Sequence, residues 1–211
     1  MIDRLLFIFW LGPLFGVYVS ATSRTCPQGS HCINGNCTSC AFCTVGKFKS
    51  EDSSATRCQP CAPGKFAGHS GQYNCWSCGA GYYSVEGSVS CSACNAGTIC
   101  TSANCANCTA CPEGTATAGS RTKCNACDVG RYAEGTGNAD CTSCPPGQES
   151  TLTGSTKCTY CPTGKRKNAL LPVCDDCRIG KYANTTGSID CISCEQGTYA
   201  STKGSSTCEF C

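Results

Sequence analysis

The chain has 211 residues, 27 of them Cys, and its 16 Lys and Arg nearly balance its 14 Asp and Glu for a net charge of +2. So dense a Cys content marks a disulfide scaffold, and the charge balance gives no basis for binding nucleic acid or a membrane through bulk charge. Beyond Ala21 there are only 25 Val, Ile, Leu, Phe, Tyr and Trp residues, too few for the core of one compact domain or an ordinary enzyme fold.

Residues 1–21 read as a signal peptide. Arg4 precedes an apolar run from Leu5 to Val19, interrupted by Gly12 and Pro13. At about 15 residues it is short of the roughly 20 that a bilayer span needs. Val19-Ser20-Ala21 puts small residues where a signal peptidase reads, so cleavage is expected after Ala21, with Ser23 as second choice. The alternative is a retained signal anchor. Neither a second apolar run nor a lipid-anchor tail follows. Membrane attachment is therefore expected only through further sequence beyond Cys211. A secretory route places the Cys in an oxidising compartment. It also exposes three sequons, at Asn36, Asn107 and Asn184. The first two have Cys in the middle position, where a bridge would hinder glycosylation, so Asn184 is the expected site.

Residues 22–42 read as an N-terminal, knot-like segment in which Cys26, Cys32, Cys37 and Cys40 form two bridges of open pairing. Asn34-Gly35 suits a hairpin turn. Residues 43–211 then read as about ten tandem cysteine-rich repeats. Cys-x-x-Cys recurs from 40/43 to 208/211, in steps of 16 or 17 residues from 58 onward. Every interval carries Gly at the third position after its opening Cys, from Gly46 to Gly197. A Gly fixed at one place in a loop points to positive φ or close backbone approach. Six intervals have an aromatic two residues later: Phe48, Phe66, Tyr83, Tyr132, Tyr182 and Tyr199. Six have a second Gly four residues before the closing Cys: Gly71, Gly87, Gly137, Gly154, Gly187 and Gly204. The second Gly reads as a hairpin tip with a short return strand before the closing Cys. The aromatic is expected over its own disulfide or its neighbour's. The fold class is therefore small and disulfide-rich: an elongated tandem array of short β-hairpin modules with little helix.

Two pairing registers fit the spacing. In one, the second Cys of each unit closes with the first Cys of the next: Cys43–Cys58, Cys61–Cys75, Cys78–Cys91, Cys94–Cys108, Cys111–Cys124, Cys127–Cys141, Cys144–Cys158, Cys161–Cys174, Cys177–Cys191 and Cys194–Cys208. In the other, adjacent units pair crosswise, as in Cys58–Cys75 with Cys61–Cys78. Crosswise pairing groups the loops in twos and would make alternate loops differ. They do not, which favours the first register, although spacing alone leaves both open. Cys100–Cys105 then forms an extra bridge inside one loop, and Cys211 is left over. Cys211 stands where a further loop would open, so the array is expected to be cut short there. Each closed loop of about 15 residues removes roughly 3 kcal/mol of unfolded-chain entropy in the loop-closure account.

Chemical rivals are weaker. Thioredoxin-like redox sites use one Cys-x-x-Cys on a βαβ scaffold, whereas here the motif recurs in Gly- and Ser-rich loops. Paired Cys-x-x-Cys units also suit zinc; that reading gains if residues 1–21 are not a signal. His31 and His69 read as solvated loop residues, and Asp175-Asp176 as exposed turn carboxylates. No catalytic residue, metal ligand or cofactor is expected. The loop from Cys161 to Cys174 departs from the pattern: it carries Lys165, Arg166 and Lys167, then Leu170 and Leu171, and lacks both aromatic and tip Gly. It is the candidate contact loop, since repeat arrays bind through atypical loops. A protease-inhibitor-like scaffold using Lys165–Val173 is a third reading.

Strings such as Cys144-Pro145-Pro146-Gly147, Cys111-Pro112-Glu113-Gly114 and Cys177-Arg178-Ile179-Gly180-Lys181-Tyr182, each closing at Cys-x-x-Cys, resemble the cysteine-rich repeat of ephrin-type tyrosine kinase receptors. They are also similar to tumour necrosis factor receptor modules and the wider growth-factor-receptor cysteine-rich superfamily. The likeness spans residues 40–211. It implies an extracellular rod of disulfide-linked β modules, as in the ectodomain of a receptor or a surface antigen. The partner would be an extracellular protein or glycan. Kinase, transmembrane and ligand-binding domains of such receptors have no counterpart in these residues.

Overall fold

The computed structural model describes residues 25–52 and 54–211. The signal segment 1–21 and its expected cleavage sites lie outside the described residues. Among the described residues there is no helix. The described residues form eleven separate two-stranded antiparallel sheets, strung along an elongated array.

The first two show the plan. Strand β1 (Ser30–Cys32) pairs with β2 (Cys40–Phe42), and β3 (Lys47–Phe48) pairs with β4 (Gln59–Pro60). The first strand of each sheet follows the recurring Gly, as expected. The second does not precede the closing Cys. It consists of, or contains, the two residues inside Cys-x-x-Cys, as in Phe66 opposite Trp76 and Tyr182 opposite Ile192. The reason is the disulfide: once the closing Cys is tied to the opening one, the chain leaving it runs antiparallel to the strand already there. The next opening Cys then donates its N–H to the carbonyl of the first Gly. Cys61 bonds Gly46 in this way at 2.9 Å, and the pattern continues to Cys211 and Gly197 at 3.1 Å.

The second Gly is therefore not a hairpin tip. It holds neighbouring modules together. Gly71 has φ +77° and donates its N–H to the Cys43 carbonyl of the preceding module at 2.8 Å. Gly87 to Cys61 and Gly204 to Cys177 repeat the bond. Asn104, a residue type that tolerates the left-handed region, takes the same seat at φ +66° and bonds Cys78.

The first Gly sits in the left-handed region in every module, with φ between +74° and +83°. Its N–H donates one module forward, as Gly46 does to Ala67 at 2.8 Å. The space its side chain would fill is taken two modules forward. A Cβ on Gly46 would run into the carbonyl of Gly87, and one on Gly114 into that of Gly154. Each module thus touches the next and the next but one.

The core is a thin column. Most opening Cys are buried, and so is the sixth residue after each: Lys49, Ala67, Ser84, Cys100, Thr117, Ala133, Ser150, Lys167, Ala183 and Ala200. The aromatics stay half-buried or, for Tyr199, exposed. Phe48 covers its neighbour's bridge and not its own: it packs on Cys61, Ala67 and Cys75 of the following module.

Gly114→Ala is expected to destabilise the oxidised protein well beyond Gly119→Ala. Gly119 also has positive φ, but a Cβ there would meet nothing within 4 Å. It should show only the backbone term of about 1–2 kcal/mol, with Gly114→Ala adding a backbone collision. Guanidinium denaturation of the two variants makes the comparison, and equal losses would show that close approach does not constrain this position.

Candidate functional site

The bridges form one repeated geometry. The structure joins Cys43–Cys58, Cys61–Cys75 and so on to Cys194–Cys208, the register in which each loop closes on itself. Their Cα–Cα distances all fall at 5.6–5.8 Å. Cys100–Cys105 closes inside its loop.

The segment 22–42, read above as knot-like, follows the same plan from Cys26 to Cys40. Cys26–Cys40 is the loop bridge at 5.7 Å, and Gly29 is the third residue with φ +74°. Cys32–Cys37 repeats the inner bridge of the Cys100 loop. The signal was present in Cys26-Pro27-Gln28-Gly29, which has the same Cys-x-x-Gly opening as the later loops.

The candidate contact loop is largely absorbed into the array. Lys165 pairs with Asp176 on the facing strand at 3.0 Å, and Arg166 with Asp190 at 3.2 Å. Lys167 is buried and donates from Nζ to the carbonyls of Cys144 at 2.9 Å and Pro145 at 3.3 Å. Burial pushes its ammonium below the usual lysine range, partly offset by the Glu149 carboxylate. The cause of this unusual lysine is Pro172. Its carbonyl lies against the Cβ position of Gly130, the place that the second Gly takes elsewhere, as Gly87 does beside Gly46, and from that place a backbone N–H would bond the Cys144 carbonyl. Pro has no N–H to give, and the lysine supplies the donor. Lys49 does the same for the Cys26 carbonyl at 3.0 Å, in a loop that also lacks the second Gly. Of the apolar pair, Leu170 is 90% exposed and Leu171 half-buried. The loop therefore offers one bare leucine, and two of its three cations are ion-paired while the third is buried.

Asn184 is exposed, as a glycan acceptor must be. Cys211 is an exposed free thiol. His69 is exposed, but His31 is not a free loop residue: it lies half-buried in β1, with Nδ1 3.4 Å from Cys58 Sγ. Asp175 and Asp176 are exposed but belong to a strand, not a turn. Among the described residues, two groups bring their potential ligand atoms within 4.8 Å: Cys26 with Cys32 and Cys37, and His31 with Cys43 and Cys58. Every sulfur in them is tied in a bridge, so neither group offers a thiolate while the bridges stand.

No family model matches the chain, and no curated protein matches it either.

Lys167→Ala should cost about 1–3 kcal/mol, because it leaves buried carbonyls without their donor. Pro172→Gly should recover part of that loss by restoring a backbone N–H. A double-mutant cycle by denaturation checks the coupling, and strict additivity would show that the two residues do not serve the same carbonyl.

Proposed function

We propose that the chain is a non-enzymatic extracellular protein that acts as a stiff spacer or protein-interaction rod, in the ectodomain of a cell-surface receptor or in a surface antigen. The observation that carries this reading is the state of the cysteines. Among the described residues all Cys but Cys211 are paired, in thirteen bridges. Such a ladder persists only where thiols are kept oxidised. The apolar leader and the likeness to receptor cysteine-rich repeats support the same compartment. A partner would be an extracellular protein or glycan met along the side of the array.

The test is the intact mass of secreted protein, alkylated under denaturing conditions, together with its X-ray scattering. The oxidised chain should begin near Thr22 and be lighter than its reduced form by two hydrogens for each bridge. It should take one alkyl group, at Cys211, and lose any N-glycan on Asn184→Gln. Its radius of gyration should lie well above the roughly 16 Å of a compact domain of about 190 residues. Retained residues 1–21, many alkylated thiols and bound zinc would overturn the reading in favour of a metal-binding protein of a reducing compartment.

A further inference from the structure

In most modules the fifth residue after the opening Cys is aromatic or aliphatic, and Phe48 shows it covering the next module's bridge. Two modules put a base there instead: His31 after Cys26, and Arg166 after Cys161. A groove opens at the same place beside both. One, of about 340 Å³, is lined by Arg166, Arg178, Lys181, Asp190 and Cys191. The other, of about 370 Å³, is lined by His31, Thr44, Lys47, Thr56, Arg57 and Cys58.

The two grooves are built from equivalent positions. Each takes the fifth residue of one module, and the first and fourth residues after the next opening Cys. Each is completed by the closing Cys and the residue before it. Their chemistry also agrees. A Lys fills the fourth position in both, at Lys181 and Lys47, and an Arg adds a guanidinium in both, at Arg178 and Arg57. The first groove holds one carboxylate, Asp190, engaged by Arg166 at 3.2 Å, and the second holds none. Arg178, Lys181, Lys47 and Arg57 are exposed, and none forms an ion pair among the described residues. No other described module combines a base at the fifth position with a Lys at the next module's fourth.

We propose that these two grooves are equivalent anion seats, each taking a sulfate group of an acidic glycan. A guanidinium beside an ammonium suits a tetrahedral oxyanion, the first as a planar fork and the second as a point charge. The linings carry no large apolar side chain on which a peptide could anchor, and no Phe, Tyr or Trp; the His31 imidazole in one groove is their one ring, too little for a stacking platform common to both. With a net charge of only +2, attraction must be local to the grooves. A glycan that repeats its sulfates can fill both seats of one array, and linkage strengthens two weak contacts. The proposal rests on the extracellular rod reading for its setting, but the two can fail separately.

The experiment measures heparin binding by the full oxidised chain and by three paired variants. These are Arg178→Ala with Lys181→Ala, Lys47→Ala with Arg57→Ala, and, as a charge-matched control, Lys123→Ala with Lys203→Ala. Each groove pair should weaken binding about tenfold and lower the salt dependence by roughly one to two charges. The control should stay within about twofold. Equal losses in all three, no heparin binding by the unaltered chain, or hyaluronan competing as well as heparin would each overturn the proposal. Scattering and thiol counts on the same samples report the rod separately. A compact, thiol-rich chain overturns the rod reading whatever heparin does, and an intact rod without groove-dependent binding overturns the seats alone.

Discussion

At the third residue of most loops, the chain approaches another module's backbone too closely to admit a side chain. The left-handed backbone at Gly46, Gly114 and their equivalents turns the N–H toward the next module and leaves the Cβ position to the module after that or to open space. This single geometric demand replaces the large apolar core that the composition cannot supply. Backbone hydrogen bonds tie module to module, and the bridges hold each loop in the shape those bonds require by limiting what the unfolded chain can explore. The small, buried sixth residue follows directly, because the column between modules has width for Ala, Ser, Thr or Cys. Lysine fits only by running its ammonium to a carbonyl.

The two buried lysines show how strictly that interface is satisfied. Where Pro172 removes the expected donor, Lys167 reaches the Cys144 carbonyl, and Lys49 serves the Cys26 carbonyl likewise. Among the described residues no buried side-chain nitrogen or oxygen lacks a partner. A basic triplet that looks like a solvated patch in the sequence therefore divides into three roles: a cross-strand ion pair at Lys165, a groove wall at Arg166 and an interior donor at Lys167.

Much of this architecture was legible beforehand. The loop spacing and the third-position Gly name the module and favour its bridge over the crosswise register, because both are local demands of one loop. What escaped were the demands between modules. The Gly at 71, 87 and 204 reads as a hairpin tip when only its own loop is considered, yet its function is a bond to the loop before. The return strand lies inside Cys-x-x-Cys for the same reason: Trp76-Ser77 reads as a linker until the bridge beside it is folded. The small residues at 67, 84, 133 and 183 were readable as a column, but Ala and Ser carry too little hydrophobic signal to attract notice beside Phe and Tyr. The grooves show only once Phe48 is seen to lie on the neighbour's bridge, which makes His31 and Arg166, at the same position of their own modules, open places rather than mere substitutions.

The bridge ladder also bears on how such an array responds to being pulled. Each loop bridge spans 13 to 15 positions of sequence, and those residues are bypassed when tension passes through the sulfurs. The covalent path across one module is then the Cys–Cys step of about 5.7 Å plus three backbone steps, or about 16 Å in all. Even with every hydrogen bond between modules broken, the residues closed inside each bridge would stay out of the load path. The bridges thus cap the reach of the chain at about 16 Å per module, where an unbridged chain could pay out every residue of each loop.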